Sequence, residues 1–319
     1  LQKLLYYAKL ATNEEVIMKT IIAITFLIAF SLISTLGASV YDFLNVGIAA
    51  RPNAMGGSFS AVSNDIDALH WNPSGLNGIG EGMLSSGLVL YVADIKFGEV
   101  SYGLGKGKNT FGFGLNYVNY GSIEKRGENN EDLGSFTPMD MVFISGMSRS
   151  VTEDLSLGLG VKLVYEKIDS FVSYGAGADV GMQYLMRERH LTIAFVARNI
   201  GKEFKAHYED KGSFPLSVTG GFSFHPIPVL NINFDLTKVL ADSRTIAGAG
   251  VEWWVVPIFV LRSGYSNAAA ELKNEFGSDI MAGTSFGFGF LLKKFGLDYA
   301  IEPKVDFGFS HSVTLSHIF

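Results

Sequence analysis

The chain has no cysteine. That excludes a disulfide framework, a thiolate metal site and a thiol nucleophile. Charge is scarce too, at 18% of 319 residues, against roughly 25% in soluble domains. Beyond the N-terminal region no apolar run reaches the length of a spanning helix. A helical membrane protein needs several runs of about 20 residues. The net charge of −6 argues against nucleic acid as a partner. Histidine is sparse and scattered, and no pair has zinc spacing with a third ligand. His311 and His317 share a strand face but lie about 20 Å apart at ~3.3 Å per residue. No cofactor and no metal is expected.

What the chain has instead is 37 Gly, 25 Phe and 13 Tyr. Apolar residues alternate with small or polar ones. In "TFGFGLNYV", Phe111, Phe113, Leu115 and Tyr117 oppose Gly112, Gly114 and Asn116. "LSLGLGVKLVYEK" and "LNINFDLTK" repeat the pattern, as does "TSFGFGF". Period-two alternation is a strand signal, with one apolar and one small or polar face. Strands are predicted at 82–92, 96–104, 109–119, 140–149, 153–168, 172–186, 189–199, 215–225, 229–239, 245–254, 257–265, 279–289, 290–301 and 309–319. An even count of about 14, most of 9–11 residues or longer, suits a transmembrane antiparallel β-barrel. The soluble alternative, a β-sandwich, would carry more charge and less glycine on its exposed faces. Longer polar connections at Gly121–Pro138, Gly201–Phe214 and Asn267–Ser278 place those loops outside the cell. Tyr117, Tyr120, Tyr165, Trp253, Trp254, Tyr265 and Tyr299 fall near strand ends, where an interfacial girdle is expected.

The single long apolar run, Met18–Ser39, has Lys19 ahead of an apolar Ile21–Leu36 and small residues at Gly37–Ser39. It reads as a signal peptide, 18–39. Residues 1–17 read as a non-native upstream extension. Residues 40–81 then form a polar, turn-rich segment, and 82–319 the barrel. Inside the first of these, "HWNPSGL" (His70–Leu76) sets a turn between Trp71 and Leu76, two residues that favour burial. Arg51 is a candidate partner for Asp65 and Asp67. "GLGKGKNT" (Gly103–Thr110) lacks phosphate-loop spacing and reads as a basic turn. No nucleophile–base arrangement emerges, so the chain is not expected to be an enzyme.

Taken in order, "FLNVGIAARPNAMGGSFSAVSNDIDALHWNPSGL", "LGLGVKLVYEKIDSFVSYGAGADVGMQY", "ARNIGKEF", "FPLSVTGGFSF", "GAGVEWWV", "LRSGY" and "FGLDYAIEPKVDFGFSHSVTLSHIF" resemble the PorV/PorQ family of FadL-like outer-membrane barrels. The resemblance covers nearly all of Tyr41–Phe319. It implies an N-terminal hatch inside the lumen, with Asn72, Pro73 and Gly75 holding a tight turn and Trp71 and Leu76 against the inner wall. Phe59, Leu69 and Trp71 would line an apolar conduit. It further implies passive passage of hydrophobic small molecules across the outer membrane of a Gram-negative-type bacterium. The alternative is a non-conducting accessory barrel whose partners are proteins of a type IX-like secretion system. The last strand, with Leu315, His317 and Phe319 on one face, resembles the signal read by the barrel-insertion machinery. Lipid of the outer membrane is the remaining expected partner.

Overall fold

The computed structural model describes residues 40–206, 212–268, 281–304 and 307–319. The proposed upstream extension and signal peptide lie outside them, as do parts of the loops after Gly201 and Asn267. Fourteen antiparallel strands close into one barrel. They are β1 (Met83–Leu90), β2 (Lys96–Lys106), β3 (Asn109–Asn119), β6 (Met139–Ser150), β7 (Leu155–Ile168), β8 (Phe171–Met186), β9 (Leu191–Lys205), β10 (Ser217–Ile227), β11 (Leu230–Val239), β12 (Thr245–Val256), β13 (Phe259–Ser266), β14 (Thr284–Leu292), β15 (Phe295–Pro303) and β16 (Phe309–Ile318). Each pairs with its chain neighbour, except that β3 pairs with β6, and β1 meets β16 to close the ring. The connection between β3 and β6 makes its own hairpin, β4 (Ile123–Arg126) with β5 (Asp132–Phe136). The sequence predicts a polar loop here, and the structure forms a hairpin. Its strands are too short and too charged to show alternation.

The barrel is inverted relative to a soluble protein. Leu88, Val100, Phe113, Leu159, Leu163 and Leu315 stand exposed on the outside. Glu99, Lys162, Asp179, Arg198, Asp235, Glu252 and Arg262 are buried on the inside. An apolar exterior over this many strands is stable against hydrocarbon, and closure satisfies the backbone donors and acceptors that lipid cannot.

Two expectations need correction. The strand division at 289–290 is misplaced. The turn falls at Lys293–Lys294, where Lys293 takes φ 58°, so the strands are Thr284–Leu292 and Phe295–Pro303. The apolar run "GFGFLLKKF" hides the break because Leu291 and Leu292 extend the strand pattern up to it. Second, two of the girdle aromatics do not face outward. Trp254 is in register with inward-facing Glu252, two residues away. Tyr120 donates its hydroxyl to lumenal Asp140 at 2.5 Å.

Candidate functional site

The segment before β1 runs through the inside of this ring. It consists of a 3-10 turn (Asp42–Asn45), helix α1 (Ala50–Ala54), helix α2 (Ala68–Trp71) and a second 3-10 turn (Pro73–Leu76). Helices this short are marginal alone, and here their polar groups bond to the wall. The Val40 N–H donates to Ser213 O at 2.9 Å, at the end carrying the long loops. The Ala50 N–H donates to Thr314 Oγ1 at 2.9 Å. Asn53 Nδ2 donates to Ser312 Oγ at 2.9 Å. Asp235 Oδ2 accepts from the backbone of both Phe59 and Ser60, at 2.9 Å each. Gln183 Nε2 donates to the carbonyls of Ser60 and Val62, at 2.9 Å each. Single polar residues on apolar strands thus serve as partners for an irregular backbone that is cut off from bulk water.

The Asn-Pro turn has a local cause and a distant one. Asn72 Oδ1 accepts from the Ser74 N–H at 3.1 Å and from Ser74 Oγ at 2.7 Å, a side-chain cap that starts the 3-10 turn. Pro73 at its first position has no donor to leave unsatisfied. The Asn72 amide also donates to Ser60 O at 2.8 Å, and Ser148 Oγ donates to Ser74 O at 2.9 Å. The wall fits the turn only because it lacks side chains there. A Cβ on Gly158 would lie 2.0 Å from Ser74 N, and one on Gly181 would lie 1.9 Å from Asn72 Oδ1. Leu69 and Leu76 fill the space over Gly112 and Gly146 in the same way.

Ion pairs join the segment to the wall. Arg51 Nη1 meets Asp65 at 2.6 Å, and its other nitrogens meet Glu252 at 2.8 and 2.9 Å. Glu252 also takes Arg262 Nε at 2.7 Å, and Arg262 reaches Asp298 at 2.5 Å. Burial works against the Arg51 charge, but Glu252 and Asp65 outweigh it and hold the guanidinium well above its ordinary value. Asp67 does not join Arg51, contrary to expectation. Asp67 accepts from Ser85 Oγ at 3.4 Å. Burial pushes its carboxyl well above the usual range, helped by Asp65 and Glu99. A carboxyl whose folded pKa is raised favours folding in its protonated form and opposes it as pH rises past the unfolded value. Asp67→Asn is therefore expected to raise the temperature at which the purified barrel converts from its fast-migrating folded form to its slow-migrating boiled form. The gain should be present at pH 7 and vanish near pH 3.

Between the segment and the long-loop end lies a cavity of about 210 Å³. Its lining includes Asn45, Trp71, Arg198, Asp235, Thr237 and Lys304. The Arg198 guanidinium sits over the Trp71 ring, 5.3 Å from its centroid, a favourable cation–aromatic arrangement. Arg198 is 7% exposed, its Nε has no hydrogen-bond partner among the described residues, and its Nη1 reaches only His70 O, at 3.5 Å. Beside the cavity is an apolar stripe of inner wall, Phe97, Val118, Val142 and Ile144, covered by Phe43, Leu44 and Val46.

Of the residues singled out in the sequence, Trp71 lines this cavity. Phe59 and Leu69 are fully buried within the packing and do not line it. Phe59 lies against Arg51, 5.6 Å from ring centroid to guanidinium, and 6.5 Å from Trp71. Asn72, Pro73 and Gly75 sit below, on the wall. Leu315, His317 and Phe319 are at the opposite end, on the seam where β16 meets β1. Sequence reasoning missed Arg198, Asp235, Gln183 and Glu252. Their signal is a lone long polar residue on the small face of a strand, as in "AFVARNIG" and "GAGVEWW".

His70 Nε2 lies 3.3 Å from both Glu99 Oε2 and Ser101 Oγ. One ring nitrogen faces both groups, so the cluster does not build the nucleophile–base–orienter relay that hydrolysis needs. Among the described residues, no group of three or more His, Cys, Asp or Glu is placed to hold a metal ion.

No protein-family model and no curated protein matches the sequence. Solved structures do match by shape. The toluene transporter TodX of P. putida superposes with a TM-score of 0.62 at 15% identity, over 86% of this chain and 98% of that one. The toluene transporter TbuX of Ralstonia pickettii gives 0.62 at 14%, over 88% and 100%. A FadL homologue of Pseudomonas aeruginosa gives 0.54 at 12%, over 86% and 100%. The chain therefore has the fold of the FadL-like outer-membrane barrels.

Proposed function

We propose that this protein is an outer-membrane barrel of the PorV/PorQ, FadL-like type that passes hydrophobic small molecules by diffusion, with residues 40–81 as its hatch. The observation that carries the reading is the cavity at the long-loop end, floored by Trp71 under Arg198 and flanked by the apolar stripe beneath Phe43–Val46. It offers a ligand an aromatic face, an apolar wall and one under-bonded cation. An aromatic or acyl body with a weakly polar end meets those three features. Water and ions meet a lumen occupied by hydrogen-bonded backbone. The shared fold with toluene transporters supports the reading at the level of architecture.

The test is uptake of toluene and of the fluorescent probe N-phenyl-1-naphthylamine by outer-membrane vesicles with and without the barrel. Vesicles carrying the barrel are expected to take up both faster. Trp71→Ala should weaken retention of the aromatic probe about fivefold, the size of one aromatic–aromatic contact. Equal uptake with and without the barrel would end the transport reading. The second reading, an accessory barrel for protein secretion, draws on the β4–β5 hairpin, whose Ile123 and Leu133 stand exposed at the long-loop end. An empty lumen together with a stoichiometric protein partner bound through that hairpin would favour it.

A further inference from the structure

The outer face of the barrel carries a groove of about 520 Å³ across the seam of β14, β15, β16 and β1, at the short-turn end. Register explains it. Leu84 stands opposite His317, which stands opposite Phe295, which stands opposite Leu292, making one outward row. In the next row Ser86 is opposite Leu315, then Leu297 and Phe290. Ser86 is the one small side chain in an otherwise bulky two-row lattice, and the depression opens beside it. Among the described residues, no acidic side chain lines the groove.

The rim beside it is basic. The tight turn joining Leu292 to Phe295 is Lys293–Lys294, both exposed. The Lys294 carbonyl accepts from the Ile318 N–H at 2.8 Å, which fixes the turn against the end of β16. On the other side of the seam the β2–β3 turn presents Lys106 and Lys108, and it is tied in by the Gly105 N–H donating to Gly80 O at 2.9 Å. Glu81 is exposed in the stretch that leads into β1 at the same end. An apolar groove two rows deep, ending in paired lysines, is complementary to an acyl chain joined to a negatively charged headgroup. Short turns of such barrels face the periplasm, and lysines near a membrane surface attract anionic lipid.

We propose that this seam groove binds an anionic phospholipid of the periplasmic leaflet, one acyl chain lying between the rows of Leu84 and Leu297 and the phosphate held by Lys293 and Lys294. The inference rests on the barrel's insertion in a membrane and not on what crosses its lumen.

The test is lipid retention by native mass spectrometry of the full-length barrel. The protein is delipidated in detergent and then titrated with dioleoyl phosphatidylglycerol or dioleoyl phosphatidylcholine. One phosphatidylglycerol is expected to remain bound with about tenfold preference over phosphatidylcholine. Lys293→Glu/Lys294→Glu should abolish the preference. Ser86→Trp, which fills the groove from the lipid side, should reduce retention of both lipids. Lys125→Glu, in the hairpin at the other end, should leave the preference intact. Folding of each variant is checked by its heat-dependent gel shift. Equal retention of the two lipids by the wild type, or a preference that survives the double charge reversal, would overturn the proposal.

Discussion

Gly158→Val is expected to expel the Asn-Pro turn from the wall of β7 and to give a large loss of stability. The first carbon of any side chain at this position lands 2.0 Å from the Ser74 nitrogen and 2.4 Å from the Pro73 carbonyl carbon. Both are backbone atoms, so neither can rotate away. Relief requires moving the turn, which breaks the Ser148–Ser74 hydrogen bond and unseats Leu76 from its place over Gly112 and Gly146. Overpacking alone costs about 1–3 kcal/mol, and each buried hydrogen bond lost adds about 1 kcal/mol. The folded form should convert to the slow-migrating form at a clearly lower temperature, and ion leak through the barrel should rise. Gly98→Val is the matched control. It lies on the other face of β2, with open space where the new side chain would go, and should behave like wild type. Equal behaviour of the two variants would refute the account of why glycine lines the lumen.

The second large effect is expected at Glu252. Its two oxygens hold Arg51 from the segment and Arg262 from the wall. Glu252→Leu strands one buried and one half-buried guanidinium group, Arg262 and Arg51, each left with one carboxylate, Asp298 or Asp65. Breaking a buried pair by removing one partner costs about 3–5 kcal/mol. The charges are shielded inside the ring, so the loss should persist at high salt, unlike that of a surface pair. Thermal conversion on gels at low and high salt measures both. A variant as stable as wild type would show that the Arg51–Glu252 contact does not hold the segment in place.

The barrel was legible because its determinants repeat. Each strand carries the same binary alternation, and an exterior of Phe, Leu and Val over a small or polar interior follows from it directly. The β14–β15 turn was not legible, because Lys293–Lys294 interrupts an apolar run without Gly, Pro or Asn. Nor was the β4–β5 hairpin, whose few charged residues have no apolar face to show. The site divides in the same way. Asn72 and Pro73 announce a turn by local chemistry, and Trp71 announces burial. Which wall receives them depends on ring closure, which brings residue 74 against residue 158 and residue 53 against residue 312. Arg198 and Glu252 look alike in sequence. Glu252 is held by Arg51 of the segment and Arg262 of the wall, whereas Arg198 stands over Trp71 of the segment with no carboxylate in ion-pair contact among the described residues. Phe59 and Leu69 sit apart from this cavity for the same reason. Their apolarity is evident, but whether they face packing or cavity is decided by α1 and α2 threading the lumen.

The central claim is that residues 40–81 occupy the inside of the barrel, and the absence of native cysteine makes it directly testable. Asn53 and Ser312 touch across the lumen, Nδ2 to Oγ at 2.9 Å. In the doubly substituted Asn53→Cys/Ser312→Cys protein, oxidation of the folded barrel should close a covalent loop from α1 to β16. After boiling without reductant, the chain should run faster than its reduced form, with neither thiol open to alkylation. Two free thiols that alkylate readily in the folded barrel would place the segment outside and contradict the account.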